Sequence, residues 1–188
     1  IARERPLTPE ERKELKTYSK LADAFTPLSK GMNSEYCNQN AYDCIQIHGG
    51  SGFMLEYACQ RIYRDARITS IYEGTTQLQV VAAIRYVTNG FYSQYIAERQ
   101  QETVLPQFQA LKDKVNAMGE RYNACVNKVN ELQNQEYQDF VARHLYEMAA
   151  DIIMGHLILA DASKDADLFG KSAKVYVNFI ASEIEKHA

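Results

Sequence analysis

The chain has 188 residues, 46% hydrophobic and 24% charged, with only 4 Pro and 9 Gly, a composition that builds a packed core and excludes extensive disorder. Its 21 Lys and Arg against 24 Asp and Glu leave a net charge of -3 with no basic stripe, which excludes nucleic acid as an expected partner because nothing neutralises phosphates. No apolar run approaches the ~18 residues of a membrane span.

Four cysteines, Cys37, Cys44, Cys59 and Cys125, are dispersed without a Cys-x-x-Cys pair, a spacing that reads as reduced thiols and predicts no metal site. With no charged-then-apolar leader, a cytoplasmic protein is expected. The polar opening at Ile1, in place of Met, suggests the start of a processed product or of a shortened chain.

Taken in order, almost every segment carries the helical period and none the alternation of a half-buried strand, so the fold class is all-α. Thr8 and Pro9 supply a cap and a first position for a helix over 9–30. From Ser34 a second helix places Cys37, Ala41, Cys44, Ile45 and His48 on one stripe, and Gly49, Gly50 and Gly52 stop it. A short helix over 58–65 follows, then a non-helical stretch over 68–74. The next helix starts at Thr76, which has capping-box spacing to Gln79, and ends or bends at Asn89-Gly90. Val104, Phe108, Leu111, Val115, Met118, Tyr122, Cys125, Val129 and Leu132 recur in steps of three and four, which predicts one long amphipathic helix. Two more helices cover 137–162, with Phe140, Leu145, Met148, Ile152 and Leu159 inward, and 167–186, with Phe169, Ala173, Tyr176, Ile180 and Ile184 inward. These last three form an antiparallel three-helix unit, and the chain divides into 1–95 and 96–188.

Three stretches offer chemistry. Glu73, between Tyr72 and Gly74, reads either as a helix N-terminal charge stabilised by exposed N–H groups or as a general base on a turn. In the second reading Gly74 admits a ligand to the backbone and Tyr72 supplies an apolar wall. "QIHGGSGF" is either a glycine cap or bare backbone offered to a bulky ligand, with Gln46 one turn back able to donate and accept. It lacks the strand and spacing of a dinucleotide-binding loop. In "QRIYRDARI", Arg61 and Asp65 lie four apart as on a solvated face with ion pairs, and His48, His144 and His156 read as satisfied, partly buried side chains.

In this order the three stretches, "AYDCIQIHGGSGFMLEYACQRIYRDARITSIYEGTTQLQ", resemble the C-terminal helical domain of the acyl-CoA dehydrogenase family, continuously over 36–85 and loosely back to Leu15. Residues 96–188 resemble the extra helical region, called acetyl-CoA-dehydrogenase-like, of a subset of that family. The resemblance implies an antiparallel helical bundle with an added three-helix unit, from an enzyme that desaturates an acyl-CoA thioester to a trans-2-enoyl-CoA. It implies that Glu73 takes the α-proton while hydride passes to FAD, with Tyr72 and Gly74 at the substrate. Thr75 and Gln77 would touch FAD, and Gln46, Gly49 and Gly50 would contact the FAD of a neighbouring subunit. A homo-oligomer, dimer or tetramer, and an electron-transfer flavoprotein as electron acceptor follow from the same likeness. The family's N-terminal helical domain and middle β-domain have no counterpart here, which implies a C-terminal portion that by itself holds FAD weakly and does not turn over. An acyl-CoA oxidase of the same fold and a non-catalytic helical interaction module are the alternatives.

Overall fold

The computed structural model describes residues 6–188, and the opening at Ile1 lies outside the described residues. Among the described residues there is no strand, so the all-α class holds, and no helix is long and apolar enough to cross a membrane. The chain forms two compact units, one up to Gln79 and one over Val80–Ala188.

In the first unit, α1 runs over Pro9–His48 as one helix of 40 residues. Thr8 and Glu11 close a capping box ahead of it: Glu11 N–H donates to Thr8 Oγ1 at 3.2 Å and Thr8 N–H to Glu11 Oε2 at 2.9 Å. The sequence reading broke this span before Ser34. No break occurs, because Pro27 and Gly31 turn inward with Ala24, Leu28 and Met32, where burial offsets the bond an interior proline forfeits. Cys37 and His48, expected in the buried stripe, are exposed, since α2 and α3, which pack on α1, leave that flank open.

The chain reverses at Gly49, whose φ of 59° is left-handed and whose N–H donates to Gln46 O. A single turn, α2 (Gly50–Phe53), follows. A β-carbon on Gly52 would lie 2.7 Å from Ile45 O and 2.9 Å from His48 Cβ, so the reversal closes only with hydrogen there. α3 (Ala58–Thr69), longer than the expected 58–65, then packs back on α1. Ala41 and Ala66 are buried between them, and Asn38 Nδ2 donates to Ala66 O at 3.1 Å. α4 (Thr76–Thr88) begins in this unit and continues into the second.

In the second unit, α4 ends at Thr88 and α5 (Phe91–Gln100) starts from left-handed Gly90, so Asn89-Gly90 is the break its residues predict. Residue 95, the expected boundary, lies inside α5. A 3₁₀ turn over Pro106–Phe108 precedes α6 (Gln109–Leu132), so the long amphipathic helix does not reach back to Val104. Pro106, lacking an N–H, belongs at the start of such a turn. Asn134 and Asp165 cap α7 (Gln135–Lys164) and α8 (Ala166–His187), accepting from Tyr137 N–H and Leu168 N–H. Links this short reverse the chain, so α6, α7 and α8 run antiparallel and contact one another, and α5 adds a fourth helix against α6 and α7. Val115, Met118, Tyr122, Leu145, Ile152, Leu159 and Ile180 form the core. Phe140, expected there, is 78% exposed because it lies five residues before Leu145, about 140° around the helix from the core face.

Polar contacts cross this core, among them Tyr176 Oη donating to buried Asp151 Oδ1 at 3.1 Å and the pair Lys112 and His156. Lys112 is 4% and His156 2% exposed, and Lys112 Nζ donates to Arg99 O and lies 3.2 Å from His156 Nδ1, tying α5, α6 and α7. His156 Nε2 has no partner among the described residues, which is less than the satisfied histidine expected. Burial, then the charges of Lys112 and Arg99, push His156 down to about 4 from 6.5, and burial first lowers Lys112 as well.

Two outcomes follow. Gly52→Ala should destabilise the chain by about 1–3 kcal/mol in denaturant melts, while Gly50→Ala, with nothing within 4 Å of its β-carbon, should change stability little. Between 6.5 and about 4 the unfolded chain carries a proton on residue 156 that the folded chain lacks, so stability falls as pH drops through that window. His156→Gln offers Lys112 an oxygen and removes that proton, so relative to its value at about pH 7 the variant should gain about 2 kcal/mol over wild type near pH 5.

Candidate functional site

Between α3 and α4 the residues 70–75 form a closed turn. Ile71 and Tyr72 N–H groups donate to Ile68 O, and Thr76 N–H donates to Ser70 O at 3.2 Å. Two side chains from α1 hold this turn against the helix. Lys30 Nζ donates to Gly74 O and lies 6.0 Å from the centre of the Tyr72 ring, and Thr76 Oγ1 donates to Glu35 Oε1 at 2.6 Å. Gln79 Nε2 adds a bond to Gly74 O at 3.2 Å. The helix cap is therefore Thr75, whose Oγ1 accepts from Leu78 N–H at 3.3 Å. The expected capping box of Thr76 and Gln79 does not form, because Glu35 takes the Thr76 hydroxyl.

Held in this frame, Glu73 adopts a φ of 51° and Gly74 one of 92°. A left-handed conformation is routine for glycine and strained for glutamate, so the turn keeps Glu73 against its own preference. Its carboxylate is exposed beside half-exposed Tyr72. Neither that carboxylate nor the N–H groups of Glu73, Gly74 and Thr75 have a partner among the described residues. A proton-accepting group thus stands beside three backbone donors at the start of a helix, where negative charge on a ligand oxygen is favoured. A shallow open groove along α1, lined by Ala22, Phe25, Thr26, Ser29, Lys30 and Asn33, shares Lys30 with the turn.

Thr75 and Gln77 are exposed next to Glu73, as the sequence placed them. Gln46, Gly49 and Gly50 are also exposed, and at both glycines a β-carbon would meet open space. They lie at the other end of α3, whose 12 residues span about 18 Å, so one chain does not bring the two groups to the same ligand atoms. Arg61, Arg64 and Asp65 are solvated, and Arg61 and Asp65 form no ion pair among the described residues.

Sequence reasoning missed Lys30 and Glu35, which lie 44 and 41 residues from their partners, where no local pattern reaches. It also read the cysteines as scattered. The reversal at Gly49–Gly52 instead gathers Cys44, His48 and Cys59, with one ligand atom of each within 4.8 Å of the others. Hydrogen bonding to the Cys59 thiol, then burial, raises Cys44 above the ordinary thiol value. The four-residue step from Cys44 to His48 was the available signal.

If the turn strains Glu73, Glu73→Gly should stabilise the chain by about 1 kcal/mol in a denaturant melt, whereas Glu73→Gln, which keeps the backbone penalty, should leave stability nearly unchanged.

Comparison with known proteins places these features. The family described as "Acyl-CoA dehydrogenase C terminal" matches residues 88–188, and "Acyl-CoA dehydrogenase, C-terminal domain" matches residues 13–88. The caffeyl-CoA reductase-Etf complex subunit CarC of Acetobacterium woodii is 48% identical over 52 residues, which is 28% of this chain and 14% of that protein. The mitochondrial long-chain specific acyl-CoA dehydrogenase of Sus scrofa is 43% identical over 65 residues, 35% of this chain and 15% of that one. The acryloyl-CoA reductase (NADH) of Anaerotignum propionicum is 43% identical over 75 residues, 36% of this chain and 18% of that one. The chain thus spans less than a fifth of the length of these relatives. A crystal structure of an acyl-CoA dehydrogenase family protein from Porphyromonas gingivalis superposes with a TM-score of 0.53 and 41% identity, covering 56% of this chain and 91% of that one. With the first profile matching more than half its length, this chain belongs to the acyl-CoA dehydrogenase family as C-terminal helical domain sequence.

Proposed function

We propose that this chain is the C-terminal helical part of an FAD-dependent acyl-CoA dehydrogenase in which Glu73 removes the α-proton of an acyl-CoA thioester. The observation that carries this reading is the strained, unpartnered Glu73 on a turn pinned by Lys30, Glu35 and Gln79. Strain of this kind persists only where surrounding contacts over-determine it, and a base gains from being fixed before substrate arrives.

The thioester carbonyl accepts from Glu73 N–H, which favours the enolate-like charge that develops as the α C–H bond breaks. The carboxylate of Glu73 takes that proton, Tyr72 walls the acyl chain beside it, and Gly74 lets the thioester approach the backbone. FAD, when bound, supplies the acceptor for the hydride that leaves the β-carbon, and the product is the enoyl thioester. Thr75 and Gln77 would contact that cofactor on this chain's side. The open backbone at Gly49 and Gly50, with Gln46 beside it, fits a flat ring system and would meet the cofactor of a neighbouring subunit. The roughly 18 Å along α3 between the two groups supports this division, and with it a dimer or tetramer. So does the apolar surface of the first unit, where Ile47 and Leu55 are each 84% and Phe53 79% exposed.

An electron-transfer flavoprotein is the proposed electron acceptor, supported by the relative named as part of an Etf complex. The relatives named as caffeyl-CoA and acryloyl-CoA reductases favour a second reading, in which the same enzyme works toward the saturated thioester. By microscopic reversibility Glu73 then returns a proton to the α-carbon, so the residue assignment is common to both directions.

Glu73→Gln in the full-length enzyme should slow flavin bleaching by acyl-CoA in stopped flow by about 10²–10⁴-fold, with flavin content unchanged. Bleaching at the normal rate would remove Glu73 from the chemistry and require another base in the full-length enzyme.

A further inference from the structure

We propose that Cys44, His48 and Cys59 form a binding site for a single zinc ion, closed by water at an open fourth position. The three residues come from the last turn of α1 and the first turn of α3, and their ligand atoms all lie within 4.8 Å of one another. Two thiolates and an imidazole select a borderline-soft cation such as Zn²⁺ over Mg²⁺ or Ca²⁺, which require oxygen donors. In a tetrahedral zinc site, sulfur and nitrogen ligands stand about 3.6–3.8 Å apart. Cys44 Sγ and His48 Nδ1 are already 3.9 Å apart, so small side-chain rotations suffice to bring the set into register.

The supports are rigid where they need to be. Cys44 and His48 sit four residues apart on one helix face, and a β-carbon at Gly52 would meet Ile45 O at 2.7 Å, so the reversal between them and α3 admits only glycine there. His48 Nδ1 lies 2.8 Å from Cys44 O, which holds the ring over the Cys44 thiol, and metal binding exchanges that carbonyl contact for the ion. Cys59 is buried, Cys44 half-buried and His48 exposed, so the ion enters from the His48 side and keeps one coordination position toward solvent. Gln46 lies two residues from His48, nearly opposite on the helix, so the site does not use the residue assigned to the flavin. Binding needs two thiols to deprotonate and releases those two protons to solvent, with no redox change.

The test uses the full chain under a phosphine reductant, with Zn²⁺ alone measured by competition against a chromophoric chelator and Co²⁺ as a spectroscopic substitute. One Zn²⁺ per chain is expected, and Co²⁺ should give thiolate charge-transfer absorption in the near ultraviolet. Cys44→Ser and His48→Gln should each weaken zinc by about tenfold or more, with helical circular dichroism and melting temperature of the metal-free protein unchanged. Cys37→Ser should bind as wild type. Because Cys59→Ala removes a buried side chain and can loosen α3, the two more exposed positions decide. Absence of stoichiometric zinc, or zinc affinity and a cobalt band that survive Cys44→Ser, would overturn the site.

Discussion

The contact between Gly52 and the last turn of α1 sets everything else in the first unit. With a would-be β-carbon only 2.7 Å from Ile45 O, the turn tolerates no side chain at Gly52, and the chain turns back there so that α3 packs along α1. That packing is visible as a ladder of cross-helix pairs. Cys59 meets Cys44 and His48 near the reversal, Ala66 O receives Asn38 further on, and beyond the end of α3 the turn reaches Glu35 and Lys30. The position of the Glu73 turn is then held against α1 by Lys30 and Glu35.

The candidate site reverses the usual priority of local over long-range forces. A glutamate does not choose a φ of 51°, and the local sequence Tyr-Glu-Gly-Thr offers cheaper turns. Lys30 and Gln79 on one carbonyl, and Glu35 on the Thr76 hydroxyl, overcome that preference with three side-chain bonds, two of them from a helix more than forty residues away. What results is a carboxylate and a row of backbone donors with no internal partner, which is a poor arrangement for stability and a good one for binding a polarised carbonyl.

The second unit is built on different terms. Its helices meet through largely apolar faces crossed by buried polar contacts, Tyr176 donating to Asp151 between α8 and α7 and Lys112 against His156, the latter leaving a ring nitrogen without a partner among the described residues. A buried cation is tolerated because Arg99 O accepts from it and the histidine stays neutral. The result ties three helices together while making the unit acid-sensitive.

The sequence by itself determined the helical class, the cap at Thr8, the breaks at Gly49 and Asn89-Gly90 and the order of the three tail helices, because periodicity and caps act within a few residues. It also singled out Glu73, Gly74 and Thr75 on one turn with Gln77 in the helix that follows, since adjacency along the chain is itself local. It divided α1 where none was needed, put Phe140 in the core and looked for the helix cap at Thr76, because burial of Pro27 and Gly31, the angular position of Phe140 and the claim of Glu35 on a hydroxyl are decided by what packs alongside. Only the tertiary structure revealed the strain at Glu73, the anchors Lys30 and Glu35, and the gathering of Cys44, His48 and Cys59. Each of these depends on how α3 lies on α1, a long-range packing that local side-chain patterns do not encode.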